Sequence, residues 1–137
     1  MDIKVRNYYY LIAGILAIFF AVTHAWNGQS VVLPTLYVSA IAIDTRIVFM
    51  YVWHIITAEN LVIGTVFIFM SFQSERSKTW FAAWTIVSLL IVRLMVILGI
   101  TAFQDVAALT DTLIDSIAIV FYVTFIILGI NKKQIKF

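Results

Sequence analysis

Six ionisable side chains interrupt the long apolar runs of this chain and are its best candidates for chemistry. They are Arg46, His54, Glu59, Arg93, Asp111 and Asp115. In a segment that lies in hydrocarbon, each such group costs several kcal/mol unless it is paired or hydrated. We therefore expect these side chains to face one another or a wet cavity, where imidazole and carboxyl groups could hold a polar ligand or carry a proton. Any function of the chain should lie in this cluster.

Composition determines the class of protein that must position these groups. Apolar residues make up 64% of the 137 residues, and the mean hydropathy is +1.06, far above the range of soluble domains. A chain of this length has room for about four helices of roughly 20 residues, the length that crosses a ~30 Å hydrocarbon core. We predict an all-α integral membrane four-helix bundle that forms one transmembrane domain over residues 1–137.

Four long apolar runs supply the predicted helices. Their approximate bounds are residues 8–26, 44–72, 80–100 and 108–130. The dipeptide Asn27-Gly28 is a turn signal that should end the first helix. The apolar segment 30–43 contains Pro34 and is too short to span the bilayer, so it is predicted to be re-entrant, interfacial or an outer loop.

Basic residues predict the orientation of the bundle. They lie at the two chain ends and in the middle loop, while the other two predicted loops hold none, which places both termini in the cytoplasm. Those residues are Lys4, Arg6, Arg76, Lys78, Lys132, Lys133 and Lys136. We expect the protein in a bacterial inner membrane. Membrane orientation also explains the formal charge of +2, so a nucleic-acid partner has no support.

Depth within the membrane follows from counting about 1.5 Å per residue from each outer helix end. All the intramembrane polar groups then fall in the outer half of the bundle or at its centre, which predicts a funnel that opens outward. His24, Arg46 and Asp111 lie at the rim, His54, Arg93 and Asp115 lie roughly 10 Å deeper, and Glu59 lies near the middle.

Helical phase predicts which of these groups meet. Asp111, Asp115 and Tyr122 recur at helical spacing, so they share one face of the fourth helix, which should point inward. Arg93 and Asp115 share a depth on consecutive antiparallel helices and are the first predicted ion pair, with Arg46 and Asp111 as the second. The alternative is that such pairs are structural and only fix the register of the helices.

The second helix carries polar groups on several sides. Trp53 and Asn60 lie on one stripe, from which His54 and Glu59 diverge in opposite senses. We expect His54 and Asn60 to face inward and Glu59 to turn toward a neighbouring helix or another subunit. A carboxyl group at the depth of Glu59 can carry a proton or simply hydrogen-bond a neighbour. Trp53 could stack a flat ligand such as a quinone, although ordinary packing also explains it.

Other chemistries have little support in the sequence. The chain contains no cysteine, which removes disulfides, thiolate metal sites and cysteine nucleophiles. Neither a pair of histidines one turn apart nor a Glu-x-x-His set occurs on one helix, so a metal site is not predicted. No nucleophile turn of the Gly-x-Ser-x-Gly type is present. The sequence identifies no cofactor.

One short segment resembles a known family. Glu59-Asn60-Leu61-Val62-Ile63-Gly64, after a first helix that contains Gly14 and ends in a His-x-x-Asn-Gly turn, is similar to the pattern of DoxX-like four-helix membrane proteins. The resemblance covers the helix count and this segment, and it carries over only Glu59 and Gly64. It implies a small four-helix bundle, linked in some members to quinone or redox processes. The adjacent Trp53 and His54 depart from the pattern.

Three functional hypotheses remain open from the sequence. The first is an outward-facing intramembrane cavity that binds a small polar or amphipathic ligand, with proton-coupled transport as one form of it. The second is an accessory or scaffold subunit whose charges pair across helices or with partner proteins. The third is a membrane enzyme that acts on a lipid or quinone, with His54 as acid or base. The expected partners are the lipid bilayer and a homo-oligomer or larger membrane complex.

Overall fold

The computed structural model describes residues 4–38 and 40–132, and every regular element in those ranges is helical. The elements are α1 (Tyr8–Asn27), a π-helical turn (Gly28–Val32), α2 (Leu33–Val38), α3 (Ile43–Phe72), α4 (Arg76–Gln104), a 3₁₀ turn (Ala107–Thr112) and α5 (Leu113–Asn131). Four stretches of the described chain are long and apolar enough to span a membrane. They are Tyr8–Val38, Ile43–Phe72, Arg76–Gln104 and Ala107–Asn131. The predicted all-α bundle of four membrane helices is confirmed.

The first span does not end where the sequence predicts. Gly28 continues the helix with right-handed dihedral angles, φ −56° and ψ −53°, and the π turn leads directly into α2. The turn predicted at Asn27-Gly28 is therefore wrong, and much of segment 30–43 is helical. Pro34 cannot donate a backbone hydrogen bond, and it lies just after the widened turn, where helical bonding is already irregular.

Two glycines set the closest helix crossing. A Cβ atom on Gly14 would lie 2.8 Å from the carbonyl oxygen of Gly64, and a Cβ atom on Gly64 would lie 2.8 Å from the carbonyl oxygen of Gly14. Only hydrogen at both positions lets the two backbones approach this closely, as small residues do between membrane helices. Accordingly, α1 packs mainly against α3, and α5 packs against both α1 and α4.

The core occupies one half of the bundle. Buried residues begin at Ile63 on α3, reach no further than Leu90 on α4, and begin at Tyr122 on α5. This closed half contains the start of α1, the end of α5 and the loop between α3 and α4. We call the other half the open half. The core joins all four spans in the closed half, while α3 and α4 touch only sparsely along their length.

Candidate polar site in the open half

The end of α1 is shaped around an indole ring. Trp53 of α3 stacks on His24, with ring centroids 4.3 Å apart and planes inclined by 6°. The Trp53 indole N–H donates to the His24 carbonyl oxygen at 3.0 Å. A Cβ atom on Gly28 would lie 2.1 Å from the indole nitrogen. The absence of a side chain at Gly28 and the wider π turn after it, a feature often found near functional sites, make room for Trp53.

His54 follows Trp53 and points about 100° away around α3. Its Nε2 lies 2.9 Å from the side-chain nitrogen of Gln29, so these two groups hydrogen-bond through whichever tautomer accepts. His54 also lines a groove of ≈ 510 Å³ on the face of α3. The other lining residues are Ile47, Met50, Tyr51, Ile55 and Ala58. An imidazole thus borders an open, otherwise largely apolar surface.

Glu59 and Arg93 form an ion pair between α3 and α4. Arg93 also donates to the Asn60 side-chain oxygen at 3.3 Å. The Arg93 side chain is 19% accessible and the Glu59 side chain 44%, so the carboxylate keeps an open edge. The expectation that Glu59 turns toward a neighbouring helix is confirmed. The predicted Arg93–Asp115 pair is not formed, because the guanidinium turns to α3 instead.

Arg46 has neutral partners. Its guanidinium donates to the Ile41 carbonyl oxygen at 3.2 Å, and its Cζ lies 5.0 Å from the centre of the Tyr37 ring. These contacts join the start of α3 to α2, since Tyr37 lies on the short helix. The predicted pair with Asp111 is not formed: Asp111 is exposed in the 3₁₀ turn at the start of the fourth span.

Asp115 and Tyr122, predicted with Asp111 to share the inner face of the fourth helix, have different roles. Asp115 is exposed in the first turn of α5. Tyr122 lies in the closed half, 6% accessible, and its hydroxyl donates to the Ala13 carbonyl oxygen at 2.9 Å. Tyr122 is a packing residue of the core and does not belong to the polar site.

Several buried polar atoms of the described chain have no hydrogen-bond partner within it. They are Nε2 of His24, Nε of Arg46, Oγ1 of Thr57 and Oγ of Ser116. Buried polar groups are normally satisfied by protein or by ordered water. All four atoms belong to the open half, so this is the part of the bundle that requires polar matter from outside the chain.

Among the described residues, no three His, Asp or Glu side chains converge as a possible ligand set. Sequence reasoning missed Gly28, Gln29 and Tyr37, whose roles depend on partners far along the chain. Of these three residues, only Gly28 belongs to a recognisable sequence pattern, and that pattern predicts a turn rather than a contact with Trp53.

Comparison of the chain with models of protein families found no match, and comparisons with curated proteins and with solved structures found none either. The four long apolar helices fit a small integral membrane protein.

Proposed function

We propose that this protein binds a lipid-soluble amphipathic molecule on the groove of α3, with the polar head of that molecule at His54. The observation that carries this proposal is the groove of ≈ 510 Å³, in which an imidazole borders a wall of aliphatic and thioether side chains. The six lining residues all belong to α3, so the groove is an open strip of one helix face. Like small-molecule sites, it combines an apolar lining with a placed polar group.

Access from the bilayer supports an amphipathic ligand over a freely soluble one. The groove lies on the face of a candidate membrane helix, so a ligand reaches it by lateral diffusion in lipid. Gln29 holds the His54 ring at 2.9 Å, which leaves one imidazole nitrogen to meet a carbonyl, hydroxyl or phosphate oxygen. The unpaired polar atoms of His24 and Ser116 support the presence of water or polar groups in the same half.

The proposed orientation follows from charge. Arg6, Arg76 and Lys132 gather at the closed end of the bundle, which the positive-inside rule would place in the cytoplasm. A bacterial inner membrane is part of the same proposal. The groove would then lie in the extracytoplasmic half. A relationship to DoxX-like proteins is part of the same proposal and rests on Glu59 and Gly64.

The test is the recovery of a bound molecule. The protein is purified in mild detergent, and co-purified small molecules are identified by mass spectrometry. We expect one amphipathic compound near stoichiometry in the wild type, and a loss of about tenfold in His54→Leu, because one hydrogen bond to the head group is removed. His54→Gln, which keeps a donor and an acceptor, should recover part of the binding.

A matched pair of methionine variants serves as a control. Met50 lines the groove, whereas Met95 is 67% accessible on α4. Met50→Ala should weaken retention and Met95→Ala should leave it unchanged. Equal retention in the wild type, His54→Leu and Met50→Ala would refute the proposed site.

An accessory subunit is the second candidate function, and one observation favours it. The Glu59 carboxylate is 44% accessible near the middle of a membrane helix, and only 11% of the most apolar window of α4 is buried. A partner helix with a hydrogen-bond donor would cover both features. Purification with a stoichiometric protein partner and no organic ligand would support this function.

A further inference from the structure

A small cavity lies at the closed end of the bundle, far from the groove of α3. Its volume is ≈ 20 Å³, room for about one water-sized oxygen atom. Residues from both chain ends, from the end of α3 and from the start of α4 line it. Three of them are the cations Arg6, Arg76 and Lys132.

Among the described residues that line this cavity, the cations have no charged partner. Arg76 donates to the Ile130 carbonyl oxygen at 3.1 Å, and Lys132 donates to the Arg6 carbonyl oxygen at 3.4 Å. Both acceptors are neutral. The nearby carboxylate of Glu75 is already 2.7 Å from the Lys78 ammonium, on a strongly exposed part of the chain. The lining residues that the structure describes therefore carry three positive charges and no carboxylate.

The neutral lining residues are suited to an anion. Asn7 is neutral, and its polar atoms are already hydrogen-bonded within the protein. Its side-chain oxygen accepts from the backbone N–H groups of Tyr9 and Tyr10, and its amide nitrogen donates to the Gly129 carbonyl oxygen. Helix α4 begins at this cavity, and no side chain caps its N-terminus. The positive end of that helix adds to the field of the three cations.

We propose that this basic cavity binds the phosphate group of an anionic phospholipid. The cavity is too small to enclose a phosphate, so one phosphate oxygen would enter it while the three cations contact the others from the rim. Trp80 lines the cavity and is 48% accessible, and aromatic side chains of this kind lie at the level of lipid head groups. Basic pockets between membrane helices bind anionic head groups by this chemistry.

Orientation in the membrane explains why basic residues lie at this end, but it does not explain why three of them converge on one cavity. Lys78 separates the two ideas. It lies two residues after Arg76, is 77% accessible and pairs with Glu75. If general surface charge attracted the lipid, Lys78 would contribute to binding as much as Arg76. If the cavity is a specific site, only the cations that line it contribute.

The experiment measures lipid retention on the whole protein. The chain is reconstituted in vesicles of phosphatidylcholine mixed with phosphatidylglycerol, and the lipids that stay bound are counted by native mass spectrometry. We expect selective retention of phosphatidylglycerol, reduced about fivefold in Arg76→Gln and unchanged in Lys78→Gln. Arg76→Lys should keep most of the retention, because it keeps the charge.

Folding is controlled by a second variant and by melting temperature. Lys132 follows the last helix, so Lys132→Gln tests the same site without removing the Arg76 bond to Ile130. Equal losses in Lys78→Gln and Lys132→Gln, or equal retention of both lipids by the wild type, would overturn the proposal. A separate arm adds inorganic phosphate to lipid-free micelles. A rise in melting temperature that Arg76→Gln or Lys132→Gln abolishes would uphold a phosphate site and assign it to the free anion.

Discussion

Glu59 on α3 and Arg93 on α4 form an ion pair between two helices that otherwise contact each other sparsely. The pair lies beyond the buried core, in the open half of the bundle. Within the described chain, Arg93 links the two helices there through Glu59 and Asn60.

Breaking this pair from one side should cost more than removing it entirely. Arg93→Met leaves a carboxylate without its cation, and Glu59→Leu leaves a cation without its carboxylate, whereas the double variant leaves neither charge. We expect each single change to lower the free energy of unfolding in micelles by roughly 2 kcal/mol, and the double change to lower it by less than either single change. Chemical denaturation of the four proteins gives the coupling energy.

The surface pair of Glu75 and Lys78 provides the control for that cycle. Both side chains are more than half accessible, and such pairs contribute about 0.5 kcal/mol or less. Lys78→Met should change the free energy of unfolding only slightly. If Arg93→Met costs no more than Lys78→Met, the pair of Glu59 and Arg93 does not stabilise the bundle.

The crossing of α1 and α3 should tolerate no side chain at Gly64. Gly64→Ala places a methyl group 2.8 Å from the Gly14 carbonyl oxygen, so the helices must separate, at a cost of about 1–3 kcal/mol. Gly99 is the matched control, because a Cβ atom there meets nothing within 4 Å. Gly99→Ala should be neutral or stabilise by up to about 1 kcal/mol. Thermal melting of both variants tests this, and equal melting temperatures would contradict it.

Gly28→Ala should expel the Trp53 indole from its position against α1. The added methyl group would overlap the indole nitrogen, so the stacking on His24 and the bond to its carbonyl oxygen would both be lost. The measurement uses a protein in which Trp26, Trp80 and Trp84 are replaced by phenylalanine. We expect acrylamide to quench Trp53 more strongly after Gly28→Ala. Unchanged quenching would show that the indole does not occupy this position.

Tyr122→Phe should affect stability and leave ligand retention unchanged. It removes one buried hydrogen bond, to the Ala13 carbonyl oxygen, at a cost of about 1 kcal/mol. Tyr8, which is 60% accessible, provides the control, and Tyr8→Phe should be close to neutral. Loss of the co-purified molecule in a folded Tyr122→Phe protein would show that Tyr122 belongs to the functional site.

Cysteine labelling tests the orientation cleanly, because the chain contains no cysteine of its own. We expect Gln104→Cys, at the open end of α4, to react with a membrane-impermeant maleimide on intact spheroplasts. Ser77→Cys, near the start of α4, should react only after the membrane is made permeable. The reverse pattern would place the basic end outside.

Hydropathy predicts the helices because an apolar run of about 20 residues has few other stable forms in this composition. Hydropathy does not predict the partner of Arg93, because α4 is apolar on nearly all sides and its sequence does not indicate which face points inward. Counting residues from the helix ends placed Asp115 at the same depth as Arg93 and so predicted it as the partner. The long Arg93 side chain reaches Glu59 instead. The role of Gly28 could not be predicted for a related reason. Its neighbour Trp53 comes from another helix, so no local sequence pattern indicates the contact.

The π turn at Gly28–Val32 also fixes the number of residues that the connection from α1 to α2 must contain. Each residue in a helix turns the chain by about 100°, so deleting one residue from this turn would rotate all of α2 about its axis. Tyr37 would then leave the Arg46 guanidinium, whose ring contact at 5.0 Å joins α2 to α3. The number of residues in the π turn, whatever their side chains, therefore sets the direction in which α2 faces α3.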